Sequence, residues 1–141
     1  MKRATIVFIL SVFLMCLSCD EKIILVKCAD CTEEEPVEAN LEVKLDVYQS
    51  LASRTINIYE GDIEDNILLG TFFSSDDIWR HSVPLNKKYT LTATYKIGEI
   101  TYVAVDSATP RVRYEKEQCE NPCYVVYDKT VNLRIKYKRY Y

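Results

Sequence analysis

From Leu41 onward, apolar and polar residues take turns. Leu41, Val43, Leu45 and Val47 alternate with Glu42, Lys44, Asp46 and Tyr48, the period of a strand with one buried face. The same alternation returns in Tyr89, Leu91, Ala93 and Tyr95 against Thr90, Thr92, Thr94 and Lys96. It returns again in Val131, Leu133, Ile135 and Tyr137 against Asn132, Arg134, Lys136 and Lys138. Weaker versions of the pattern predict strands at 55–60, 67–73, 78–83, 100–106, 111–117 and 124–127. Turn signals such as Lys96-Ile97-Gly98-Glu99 and Glu120-Asn121-Pro122 separate them. No helical period of useful length interrupts the series. Seven to nine short strands in about a hundred residues predict an all-β domain, a small antiparallel β-sandwich whose two sheets bury their apolar faces against each other.

The pattern before Leu41 is different. Lys2 and Arg3 precede a charge-free apolar run at 4–17, and Ser18 stands just before Cys19, the order of a secretory signal. As a helix rising about 1.5 Å per residue, that run covers only roughly 21 Å of a hydrocarbon core about 30 Å thick, so it suits export better than a permanent span.

The segment Cys16-Leu17-Ser18-Cys19 resembles the lipobox of bacterial lipoproteins, with Cys16 where that motif usually has Leu. The resemblance implies cleavage before Cys19, attachment of diacylglycerol to its sulfur, and a membrane partner reached through that lipid. Asp20 and Glu21 resemble the acidic tether that routes some Gram-negative lipoproteins to the cell surface. The chain accordingly divides into a signal peptide at 1–18, a lipidated acidic tether at 19–40 and a β-sandwich domain at 41–141. Its expected location is the cell envelope, lipid-anchored at the outer membrane and facing either the periplasm or the surface.

Without the signal, 16 basic residues against 21 acidic ones leave a formal charge of −5. That balance favours solubility and gives no electrostatic basis for nucleic-acid binding. The charge is uneven, with acid concentrated at 20–38 and four cations between Arg134 and Arg139. The run 56–95, with Ile58-Tyr59-Glu60-Gly61 and Tyr89-Thr90-Leu91-Thr92-Ala93, resembles the immunoglobulin-like or transthyretin-like modules of bacterial envelope proteins. The Cys and Trp spacing of antibody domains is absent.

Four cysteines remain in the mature part, as Cys28-Ala29-Asp30-Cys31 and Cys119-Glu120-Asn121-Pro122-Cys123. An exported chain meets oxidising conditions, so disulfides are expected. Local bridges would close loops of four or five residues and cross-cluster bridges loops of about ninety. The chain-entropy model makes these worth about 2 and about 4.6 kcal/mol each, which favours cross-cluster pairing. Cys119 and Cys123 also flank a turn across which they could face each other. Four thiolates at this spacing are a zinc pattern too, although oxidation competes with the metal. A redox role for Cys28 and Cys31 is opposed by Asp30 and Glu33, which disfavour a thiolate.

Little in the chain points to an enzyme. His81 is the only histidine, and the chain has three glycines, with neither a nucleophile elbow nor a phosphate loop. Asp62, Glu64, Asp65 and Asn66 suggest calcium, but an EF-hand counted from Asp62 needs Gly where Ile67 stands and Glu where Phe73 stands. No cofactor and no metal are expected. The sequence reads best as a non-catalytic module that holds a protein, peptide or glycan. Tyr48, Tyr59 and Trp79 are its candidate contact residues, and 131–141 is a candidate edge strand for association with an envelope assembly.

Overall fold

The computed structural model describes residues 26–47 and 54–136. The signal run, Cys19, Asp20, Glu21 and Tyr48 lie outside them. Among the described residues nine strands follow one another: β1 Glu38–Lys44, β2 Arg54–Glu60, β3 Leu68–Ser74, β4 Ile78–Pro84, β5 Tyr89–Ile97, β6 Ile100–Ala108, β7 Arg111–Glu115, β8 Cys123–Tyr127 and β9 Thr130–Asn132. The only helices among these residues are two single 3-10 turns, Cys28–Asp30 and Ile63–Asp65. None is long and apolar enough to cross a membrane.

The strands form a small β-sandwich with one appended hairpin. One sheet has the order β4-β1-β9 and the other β3-β2-β5-β6, while β7 and β8 pair with each other. The core is built from the alternation seen in the sequence. Leu41, Val43 and Leu45 from β1 and its end, with Val131 and Leu133, face Ile56, Ile58, Leu91, Ala93 and Tyr95 from the opposite sheet. All ten are buried, and at roughly 1.5–3 kcal/mol per large apolar side chain this burial is the main favourable contribution to folding.

Two features depart from simple alternation and antiparallel pairing. β9 lies parallel to β1, with Glu42, Val43 and Lys44 opposite Thr130, Val131 and Asn132. This parallel pair stands among otherwise antiparallel ladders. The regular strand ends at Asn132, but the chain continues alongside β1. Leu133 N–H donates to the Lys44 carbonyl at 2.9 Å, and Ile135 N–H donates to an Asp46 carboxylate oxygen at 2.7 Å. β1 begins at Glu38, so part of the segment read as tether belongs to the sheet.

Arg54 is the second departure. It sits on the inner phase of β2 and is 1 % exposed, with one guanidinium nitrogen donating to the Asp76 carbonyl at 3.3 Å.

The β7–β8 hairpin leaves the sandwich from β6 and returns to it through β9. Asp128, in the left-handed region at φ 53°, turns the chain between β8 and β9. Its carboxylate accepts the Thr109 N–H at 3.2 Å, which ties together the two connections to the hairpin.

Candidate functional site

The two cysteine clusters meet at the tip of that hairpin. Cys28 pairs with Cys119 and Cys31 with Cys123, across Cα separations of 5.6 and 5.5 Å, within the usual range for a disulfide. The cross-cluster arrangement is therefore the one found. Hydrogen bonds, as well as the sulfurs, join the two clusters. Thr32 and Tyr124 exchange N–H to carbonyl bonds at 3.0 and 2.8 Å, and Val26 N–H donates to the Gln118 side-chain oxygen at 3.1 Å.

Glu115 organises the loop that carries Cys119. One of its carboxylate oxygens accepts the N–H groups of Lys116, Glu117 and Gln118 at 3.0, 3.0 and 3.2 Å, and the other accepts from Arg113 at 3.1 Å. The bonds from Glu117 and Gln118, then the Arg113 charge, hold its carboxyl below the ordinary value, against the effect of desolvation. Sequence reasoning placed Glu115 in a strand and missed this role, since nothing in the sequence marks which carboxylate will cap a loop.

A second surface lies on the outer face of the four-stranded sheet. The strand registers place Phe73, Thr55, Thr94 and Val103 in one row and Thr71, Asn57, Thr92 and Val105 in the next. Tyr59, Thr90 and Ser107 continue the pattern. No charged residue interrupts these three rows. Among its Thr, Asn and Ser residues this face exposes the apolar Phe73, Val103 and Val105, at 69, 59 and 54 %, and exposed apolar area of this kind favours contact with another surface.

This face ends at β3, an outer strand of sequence Leu-Leu-Gly-Thr-Phe-Phe-Ser. Ile67 and Leu68, Leu69 and Phe73 are 52, 51, 51 and 69 % exposed, and no charge or proline stands among them. The other outer strands carry the usual protections against unwanted pairing. β4 has Arg80 and ends on Pro84, while β6 turns Asp106 to the Asn132 N–H at 2.7 Å. β9 is three residues long and runs into Arg134 and Lys136, β7 carries Arg111 and Arg113, and β8 is bridged by Thr32. β3 shows a single irregularity, a register shift opposite Ile58 and Tyr59. The Gly70–Ser74 half is regular.

Of the aromatic candidates, Tyr59 belongs to the neutral outer face and Trp79 does not. Trp79 turns inward from β4, where its ring lies 5.0 Å from Phe72 and 5.4 Å from His81, with Phe72 and His81 4.6 Å apart. The three rings close the side of the sandwich between β3 and β4, and Phe72 and Trp79 pack on the core. On the opposite side, a groove of about 260 Å³ runs between β6 and residues 132–136, over Tyr102, Ala104 and Ile135. Asp62, Glu64 and Asp65 lie on an exposed turn. There the Asp65 carboxylate accepts the Asp62 N–H at 2.9 Å and Lys88 pairs with Asp62, so Asp62 and Asp65 are engaged in a capping box.

Comparison with protein-family models, with curated proteins and with solved structures finds no match.

Proposed function

We propose that this chain is an exported lipoprotein, held to the outer membrane through a lipid on Cys19, whose sandwich is a non-catalytic binding module for an extended segment of another envelope protein. The observation that carries this reading is β3: a seven-residue outer strand without charge or proline, continuous with a neutral sheet face. An unpaired strand offers a row of backbone N–H and carbonyl groups, and an added strand satisfies them while its side chains rest on the neighbouring face. A glycan would use the backbone row less well, which is why a polypeptide is the preferred partner.

Acidic residues flank the strand, Asp62, Glu64 and Asp65 before it and Asp76 and Asp77 after it. Antiparallel pairing of two copies through β3 would set acid against acid at both ends, so the complementary partner is a foreign strand with basic flanks. The alternative reading, a structural subunit of an envelope assembly, uses the same edge with a permanent neighbour. The tail beyond β9 serves it less well, because Arg134 and Lys136 oppose edge pairing.

The test is a photoreactive amino acid at Phe73, introduced into the full chain in its own cells. A discrete protein adduct is expected from Phe73, none from the control position Ser82 on β4, and loss of the Phe73 adduct on Leu69→Lys. Equal crosslinking from both positions, or an adduct that survives Leu69→Lys, would remove β3 as the binding edge.

A further inference from the structure

The cysteine staple has a geometry that two disulfides do not require. The Cys31 and Cys119 sulfurs belong to different bridges, yet they lie 3.7 Å apart. The sulfurs of Cys31, Cys119 and Cys123 all fall within 4.8 Å of one another, and the Cys28 sulfur is bonded to that of Cys119. Four thiolates around a zinc ion at about 2.3 Å sit at the corners of a tetrahedron whose edges are about 3.8 Å. One edge is thus already at the right length. The others are reached by opening each sulfur pair through rotation about Cα–Cβ, since both Cα separations are near 5.5 Å. Beside the sulfurs is a concavity of about 270 Å³ lined by all four cysteines with Thr32, Glu33, Glu120, Asn121 and Pro122, room enough for an ion and for that rotation.

Hydrogen bonds also hold the frame around the sulfurs, in addition to the bridges. The Cys28–Asp30 turn is held by Asp30 N–H to Lys27 and Cys31 N–H to Cys28 carbonyl bonds at 2.9 and 3.3 Å. The Thr32–Tyr124 bridge fixes this turn to β8, and the three N–H bonds to Glu115 shape the loop leading to Cys119. Breaking the sulfur–sulfur bonds leaves the sulfurs of Cys31, Cys119 and Cys123 gathered within 4.8 Å of one another, with Cys28 beside Cys119. A preorganised ligand set of this kind binds zinc with little further ordering.

We propose that Cys28, Cys31, Cys119 and Cys123 form a redox-gated zinc site: two disulfides under oxidising conditions, and one tetrahedral zinc when a reductant has opened both. The chemistry balances with a phosphine as reductant. Each disulfide takes two electrons from one phosphine, and with one water it yields two thiols and a phosphine oxide. Zinc then binds as the four thiols lose four protons, leaving a centre of charge −2.

The test uses the purified full chain, with added zinc chloride as probe. After reduction by a water-soluble phosphine and removal of excess metal, one zinc per chain is expected, against less than a tenth for the unreduced chain. Bound zinc should protect all four thiols from alkylation, a count read by mass. Cobalt in its place should show the thiolate charge-transfer and d–d bands of a tetrahedral four-sulfur site. These two measurements need no variant, and the Cys31→Ser/Cys123→Ser chain should lose retention at least tenfold. Fewer than half a zinc per chain, alkylation unaffected by zinc, or equal retention before and after reduction would overturn the proposal.

Discussion

The buried hydroxyl of Tyr95, on β5 of one sheet, donates to the carbonyl of Leu133, beside β1 of the other, at 2.7 Å. The same oxygen accepts the Asp46 N–H at 3.3 Å. One phenol thus fastens the two sheets where β1 and β9 end, and it satisfies the buried Leu133 carbonyl.

Replacing Tyr95 by Phe leaves the Leu133 carbonyl without that donor and should lower stability by about 1–3 kcal/mol, as read from urea unfolding. The substitution should also change the alkaline limb. Burial raises the Tyr95 pKa above its ordinary 10.0, so the folded state keeps the proton to higher pH than the unfolded state. Its contribution is complete below pH 10 and falls as pH rises from there towards the folded value. Unfolding midpoints measured across that range should fall less steeply for Tyr95→Phe than for the wild type.

Glu115 sets the opposite dependence. Its folded pKa is lowered from 4.5, first by the Glu117 and Gln118 N–H groups. Its contribution is therefore complete above that value and is lost as pH falls through the lower folded one. Glu115→Gln should flatten the acid limb of the stability profile and speed proteolysis in the loop at 116–122. An acid limb identical to that of the wild type would show that the carboxylate charge does not hold this loop.

Non-reducing peptide maps of the oxidised chain should join Cys28 to Cys119 and Cys31 to Cys123, and no free thiol should react. Reduction in the presence of a metal chelator should cost about 2–5 kcal/mol. Peptides joining Cys28 to Cys31 would contradict the pairing.

Lipid attachment is tested at Cys19. Metabolic labelling with a palmitate analogue should mark the wild type and leave Cys19→Ala unlabelled. Replacing Asp20 and Glu21 together by Ala should make the domain resistant to protease added outside the cells. Labelling that ignores Cys19 would remove the lipoprotein reading, and unchanged shaving the surface route.

Gly61 is a further test of local geometry. It lies at φ +82°, and a Cβ built there would meet an Asp65 carboxylate oxygen at 2.6 Å. Gly61→Ala should cost about 1–3 kcal/mol through backbone strain and displace the cap at Asp62. Gly98 also has positive φ, at +60°, but nothing stands within 4 Å of its Cβ position. Gly98→Ala should therefore cost less, with the two compared by thermal unfolding.

The strand series, and which phase of each strand is buried, follow from the order of residues alone. Leu41, Val43 and Leu45, like Leu91, Ala93 and Tyr95, lie in the core because a period of two leaves a one-sided strand no other way to bury them. Cysteine spacing and compartment also pointed to bridges between the clusters, since long loops gain most from closure. Tertiary structure decided the rest. Which strands become outer strands depends on sheet order, so in the run at 67–73 Ile67, Leu68, Leu69 and Phe73 are left exposed along β3 while Phe72 packs on the core. Trp79, read as a contact residue, turns inward because β4 faces Phe72 across the side of the sandwich. Arg54, just before the strand read at 55–60, falls on its inner phase and is buried. The parallel placement of β9 beside β1 and the approach of Cys31 to Cys119 arise between segments about ninety residues apart. Local periodicity carries no information about such distances, because they are set by how the finished sheets and the hairpin pack.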